Sequence, residues 1–155
     1  MDFQIRPLEA QCFAHLFDLS DAALAKRQAR RQTVMASPGT PCRVSLQDAA
    51  VGETVILLNH AHQPEDSPYR ASHAIFVRQG ARQAQLAVNE VPEVIRCRLV
   101  SLRLFDARPM QLDADVMPGD AGGAASAAAV YDTAVAYAHI HNAKPGCFAA
   151  AVHRV

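Results

Sequence analysis

The chain has 155 residues, half of them apolar and 19% charged, with fifteen basic side chains balanced by fifteen acidic ones. Such a length and apolar content suit a single globular domain spanning 1–155 with a hydrophobic core of its own. With no net charge and no basic run beyond 27–31, nucleic acid is not an expected partner. No apolar stretch approaches the roughly 20 residues needed to cross a bilayer. The start, Met1-Asp2-Phe3-Gln4-Ile5-Arg6, has no secretory apolar segment, so no membrane or export role is expected. Cys12, Cys42, Cys97 and Cys147 are scattered without a CxxC pair, which points to reduced thiols and a cytoplasmic location.

Segment 3–6 alternates and reads as a first strand. Over 9–17 the spacing of Cys12, Phe13, Leu16 and Phe17 predicts an amphipathic helix. Ser20 is placed to cap a second helix over 22–30, whose basic end suits the negative end of the helix dipole. Strands are expected over 32–35 and 53–59, the latter apolar on both faces and β-branched, with a Pro-rich loop between them that delivers Cys42 and Arg43. Segment 60–73 has no period and holds His60, His62, Tyr69, Arg70 and His73, so it reads as a polar loop. A strand follows over 73–78, ended by Gly80. A helix opened near Asn89 and Pro92 runs to about 98, and a hairpin is built from 100–106 and 110–116. An alanine-rich helix is expected from about 119 to 131, weakened by Gly122 and Gly123. The succession predicts an α+β fold with a mostly antiparallel, curved sheet or partial barrel and three to four helices.

The C-terminal run 135–153 carries most of the candidate chemistry. It reads as a hairpin around a turn at Asn142-Ala143-Lys144-Pro145-Gly146. Alternation puts Tyr137, His139 and His141 on one face. A five-residue loop then places Cys147 opposite His141, with Phe148 on the apolar face beside Ile140. Neighbouring imidazoles with a thiol across the turn allow three chemistries. A zinc site would use His139 and His141 with Cys147, His60 or His62, but no standard zinc spacing is present and no metal is assigned. A thiol nucleophile would be Cys42 or Cys147, with a histidine as base and Asn142 or Asp106 as orienter. An anion site would use Arg43 and Arg70, with Arg78 or Arg103, because guanidinium binds carboxylate or phosphate through paired hydrogen bonds. Against each stands a plainer reading, in which histidines pack on a half-wet sheet and arginines pair with nearby acids.

Several phrases occur together: Pro41-Cys42-Arg43-Val44-Ser45-Leu46, Asp66-Ser67-Pro68-Tyr69-Arg70 continuing through His73 to Arg78, Asp113-Ala114-Asp115-Val116, and His139-Ile140-His141-Asn142 leading to Gly146-Cys147. As a set they resemble a bacterial family of small proteins, domain of unknown function 1203, from near residue 3 to near residue 153. The resemblance implies one cytoplasmic domain and supplies no catalytic residue. It places Cys42, Arg43, Tyr69, Arg70, His73, His141, Asn142 and Cys147 on the family's motif positions. It also implies an aromatic residue where His60 stands, and a segment 121–129 that is atypical here.

The leading expectation is a small-molecule pocket for an anionic ligand. His141, His139, His73 and Cys147 would supply acid–base or nucleophilic chemistry, while Cys42, Arg43, Tyr69, Arg70 and Asn142 would bind the ligand. No cofactor follows from the residues. The rival expectation is a structural or interaction module, dimerising through an apolar sheet face or edge.

Overall fold

The structure, a computed structural model, describes residues 1–155. The chain gathers into two compact units. The first comprises Met1–Arg6, Ala61–His73 and Gln85–Val155, and the second Pro7–His60 and Ala74–Ala84.

The first unit is built on a five-stranded sheet of order β1-β10-β9-β7-β8. Its strands are β1 (Phe3–Arg6), β7 (Leu99–Phe105), β8 (Gln111–Pro118), β9 (Tyr137–Asn142) and β10 (Phe148–Arg154). All of its pairings are antiparallel. One face is apolar: Val100, Leu102, Ala138, Ile140, Ala150 and Val152 are buried, with Phe3 and Ile5 of β1. Helices α2 (Glu93–Arg96) and α3 (Gly122–Tyr131) pack against this sheet. The alanines of α3 suit that role, since small side chains let a helix lie close to a sheet at no entropic cost. Gly119 lies just before α3. A Cβ there would sit 1.8 Å from the carbonyl oxygen of Ile95, so no other residue fits that approach.

In the second unit, Phe13, Leu16, Leu24, Ala29, Cys42, Val44, Ile56, Ile75 and Val77 form the core. The sheet of order β2-β5-β6-β3-β4 holds β2 (Ala29–Thr33), β3 (Pro41–Cys42), β4 (Gln47–Asp48), β5 (Thr54–Gln63) and β6 (Ala71–Arg78). Strands β3 and β6 pair in parallel, at Cys42 and Phe76. Strands β5 and β6 begin in one unit and end in the other, so the chain passes between the units within them.

The α+β class and the antiparallel character hold. Neither sheet closes into a barrel, and the strands divide into two five-stranded sheets where one curved sheet or partial barrel was expected. The helix expected over 9–17 is instead a pair of short 3-10 turns, Ala10–Cys12 and Ala14–Asp18. The second helix is capped as expected, Ser20 Oγ accepting from Ala23 N at 3.2 Å. However, α1 (Asp21–Ala25) stops five residues early. Gln28 takes a left-handed φ of 55°, and the basic segment continues as β2. Arg31 shows why extension wins: its guanidinium donates to the carbonyls of Phe17 and Leu19 and to Asp21, bonds that a helical Arg31 would lose. The polar loop expected over 60–73 shrinks, because β5 runs through Gln63 and β6 starts at Ala71. Asn89 opens no helix. With φ of 63° it turns the chain and bonds to β1, its side chain accepting from Phe3 N and its amide N–H donating to Phe3 O.

Candidate functional site

The face of the C-terminal sheet that lies away from α3 is rich in imidazoles. Cross-strand pairs point to the same side, and here Ser101 lies opposite His141, Arg103 opposite His139, and Phe105 opposite Tyr137. On the other flank of β9, Phe148 lies opposite His141 and Ala151 opposite His139. The end of β5 adds His62 and Gln63 within the same unit. The His62 ring lies 4.9 Å from that of His141 and 6.0 Å from that of His139, and the two β9 histidines are 6.1 Å apart. Phe148 stacks on His62 at 5.5 Å and meets His139 and His141 edge-on. Beyond His139 the rings continue through Phe105 and Tyr137, and Tyr137 Oη accepts from Gln63 Nε2 at 2.7 Å.

His139 and His141 are buried, at 5% and 1% exposure. Burial pushes both pKa values down from 6.5 to about 3, helped for each by the charge of Arg103 and the neighbouring histidines. Both rings are therefore neutral throughout the ordinary pH range. For His141 the tautomer follows from one contact. Its Nδ1 lies 3.0 Å from the carbonyl oxygen of Gly146, which can only accept, so Nδ1 carries the proton. The lone pair is then on Nε2, which is buried and makes no hydrogen bond, as is Nδ1 of His139. Arg103, half-buried beside them, donates from Nε to Ser101 Oγ at 3.5 Å. His153, half-buried on β10, stacks loosely on Tyr137 at 6.3 Å.

The expected register, with Cys147 directly opposite His141, is not formed. Ala149 is an extra residue in β10, a β-bulge that shifts register by one. Phe148 therefore takes the place opposite His141, on the imidazole face instead of the apolar one. Cys147 lies outside the strand, and its Sγ accepts from Asn142 Nδ2 at 3.5 Å. Asn142 follows His141 along β9 and so points to the opposite side of the sheet. The thiol and the imidazole thus look away from each other.

The remaining expected residues separate. His73 is half-buried in the first unit, close enough for its charge to act on His141. The exposed Tyr69 ring meets Phe105 edge-on at 6.3 Å, whereas the Arg70 side chain is exposed on the turn after Ser67. Cys42 and Arg43 belong to the second unit. Cys42 is part of that unit's core, its Sγ accepting from Arg78 N at 3.3 Å. Arg43 is 2% exposed, with Nη1 donating to the Pro41 carbonyl and its backbone bonded to Phe76. In the same unit His60 packs edge-on against Phe13 at 5.9 Å, filling an aromatic role with an imidazole. Asp106 accepts from the amides of Arg108 and Met110 and so shapes a turn instead of orienting a base. No three His, Cys, Asp or Glu side chains are arranged around one metal ion. The four cysteines form no disulfide, and no helix is long and apolar enough to cross a membrane.

Ser101, Gln63, Phe148 and His153 did not figure among the expected site residues. For Ser101 a signal existed, since Ser101, Arg103 and Phe105 alternate with Val100, Leu102 and Leu104. For Phe148 there was none, because Ala149-Ala150-Ala151 has no alternation to betray a bulge.

Residues 39–154 match the family described as protein of unknown function, DUF1203. The chain belongs to that family. The match begins at residue 39, so the first 38 residues lie outside it, although the resemblance was expected from near residue 3. No curated protein and no solved structure matches the chain. Within DUF1203, the matched segment contains all of β7, β9 and β10, and so nearly the whole imidazole face.

Proposed function

We propose that the imidazole face of this DUF1203 protein binds a small anionic molecule, with Arg103 holding the anionic group and His141 Nε2 accepting a hydrogen bond from the ligand. One observation carries the reading: the Gly146 carbonyl fixes the His141 tautomer and leaves a buried lone pair with no partner. A buried acceptor without a donor costs about 1–3 kcal/mol. Two such nitrogens in adjacent rings are a poor way to build a purely structural cluster, and a ligand donor removes the cost. Arg103, Tyr137 and His153 are the half-buried members of this face and would form the rim by which a ligand enters.

The pKa values argue for binding over proton transfer. An imidazole of pKa about 3 is protonated roughly once in ten thousand molecules at pH 7, far from the matching of pKa and pH that acid–base catalysis favours. His141 therefore serves as an acceptor through Nε2, and His139 as a neutral neighbour. Cys147, turned toward Asn142, and Cys42, in a core, act as spectators. Thiols held without disulfides suit a reducing bacterial cytoplasm.

The rival, a packing cluster with no ligand, draws support from Phe148, which touches all three imidazoles. Thermal shift with a panel of phosphates and small carboxylates separates the two. Binding predicts a rise in melting temperature for at least one compound, lost in Arg103→Met and reduced in His141→Phe. A flat panel, or a shift that survives both substitutions, rejects the binding reading in favour of packing.

A further inference from the structure

The two edges of the C-terminal sheet are finished differently. At β1 the outer edge is covered by the chain itself. Phe3 exchanges hydrogen bonds with Asn89, and Gln4 Nε2 donates to Leu86 O at 3.0 Å. At β8 no segment lies alongside, and residues 112–116 are all exposed.

The parity of the ladder shows which β8 amides face that open edge. In an antiparallel strand the N–H and C=O of one residue point to the same neighbour. Leu99 O and Phe105 O accept from Ala143 N and Ala136 N on the β9 side. Asp106 N and Arg98 O bond to Met110 O and Gly119 N on the β8 side. Odd residues of β7 therefore serve β9, and even residues serve β8. Leu102 and Leu104 pair with Asp115 and Asp113, so the amides of Ala114 and Val116 point outward, while Leu112 sits at the register shift where this parity ends. Both are occupied by carboxylates of the strand itself. Asp113 Oδ1 accepts from Ala114 N at 2.8 Å, and Asp115 Oδ1 accepts from Val116 N at 2.7 Å.

An exposed edge flanked by Leu112 and Val116, 46% and 56% exposed, is a template for pairing with another strand. We infer that β8 is a self-pairing edge, and that Asp113 and Asp115 hold it off from β8 of a second copy of this chain. Each carboxylate occupies a donor that an incoming strand needs. Two copies brought together would also set four carboxylates along one seam, where like charges destabilise pairing.

Two measurements on the full chain test this. At high dilution, hydrogen exchange at Ala114 and Val116 should be roughly five- to tenfold slower in the wild type than in Asp113→Ala/Asp115→Ala, which lacks both carboxylates. Equal rates in the two chains would remove the carboxylates' role. In Asp113→Ala/Asp115→Ala, light scattering after gel filtration should show the mass rising toward twice that of one chain as concentration increases. Adding Ala114→Pro, which deletes an outward donor without touching the β7 ladder, should return it to one chain. A double variant that stays a single chain, a dimer that survives Ala114→Pro, or a wild type already paired through β8 each overturns the inference.

Discussion

The two faces of the C-terminal sheet are made by the same strands and obey opposite rules. On the helix side, Ile140, Leu102, Ala150 and Val152 are buried among apolar neighbours, and each contributes through area removed from water. On the other side, His139 and His141 are buried as deeply but contribute only while neutral. Burial alone does not make a core. The helix face is insensitive to pH, whereas the imidazole face is conditional on it.

The largest effect that would sharpen this contrast is the response to acid. Both histidines have folded pKa values near 3, below the 6.5 of an open imidazole. The unfolded chain thus binds protons that the folded chain refuses. Their contribution is fully present above pH 6.5 and is lost as pH falls from 6.5 toward 3. Each depressed histidine adds up to about 1.4 kcal/mol of destabilisation per pH unit in that window. Urea midpoints between pH 7 and 4.5 should fall steeply; a flat profile would mean the two rings are not held neutral. Next in size is Ile140→Ala on the helix face, expected to cost about 2–5 kcal/mol by equal amounts at pH 7 and pH 5 in the same urea assay. A strongly pH-dependent cost there would erase the distinction between the faces.

Smaller effects separate ring from charge. His141→Phe keeps an aromatic shape among Phe148, His62 and His139, so its cost at pH 7 should stay near 1 kcal/mol. Its acid slope should be shallower than wild type by one proton, read from midpoints against pH. Smallest is Cys147→Ser. The thiol accepts a long hydrogen bond from Asn142 Nδ2, at 3.5 Å, and serine keeps an acceptor at that place, so a loss of about 1 kcal/mol or less is expected, with any ligand-induced thermal shift unchanged. If that substitution abolished the shift, the thiol would have to be restored to the site.

Much of this contrast was legible in the residues. The alternation of Tyr137, His139 and His141 against Ala138 and Ile140 announces two unlike faces, and the terminal hairpin forms where its turn residues place it. The strand β5 is equally plain, although of the run expected to be buried on both faces only Val55 and Ile56 are buried, Leu57 and Leu58 being half-buried and Asn59 exposed. Hidden were the features decided by partners distant in the chain. Arg31 is drawn into a strand by carbonyls at Phe17 and Leu19, against the helical propensity of its neighbours. His62 reaches the imidazoles only because β5 continues past His60 through residues that locally read as loop. The bulge at Ala149 moved both Phe148 and Cys147, and three successive alanines offer no periodic cue to it. Nor did composition foretell a chain that crosses between two compact units inside its own strands.

The central claim is that His141 offers an unoccupied acceptor at Nε2 because its other nitrogen is bound to Gly146. Histidine-selective nitrogen-15 NMR measures this directly, through the shifts of both ring nitrogens between pH 7 and 5, with and without the compound that gives the largest thermal shift. The account predicts a neutral ring protonated at Nδ1 throughout, with an Nε2 resonance that moves when the compound is added. A ring protonated at Nε2, or one that becomes cationic near pH 6, would contradict it.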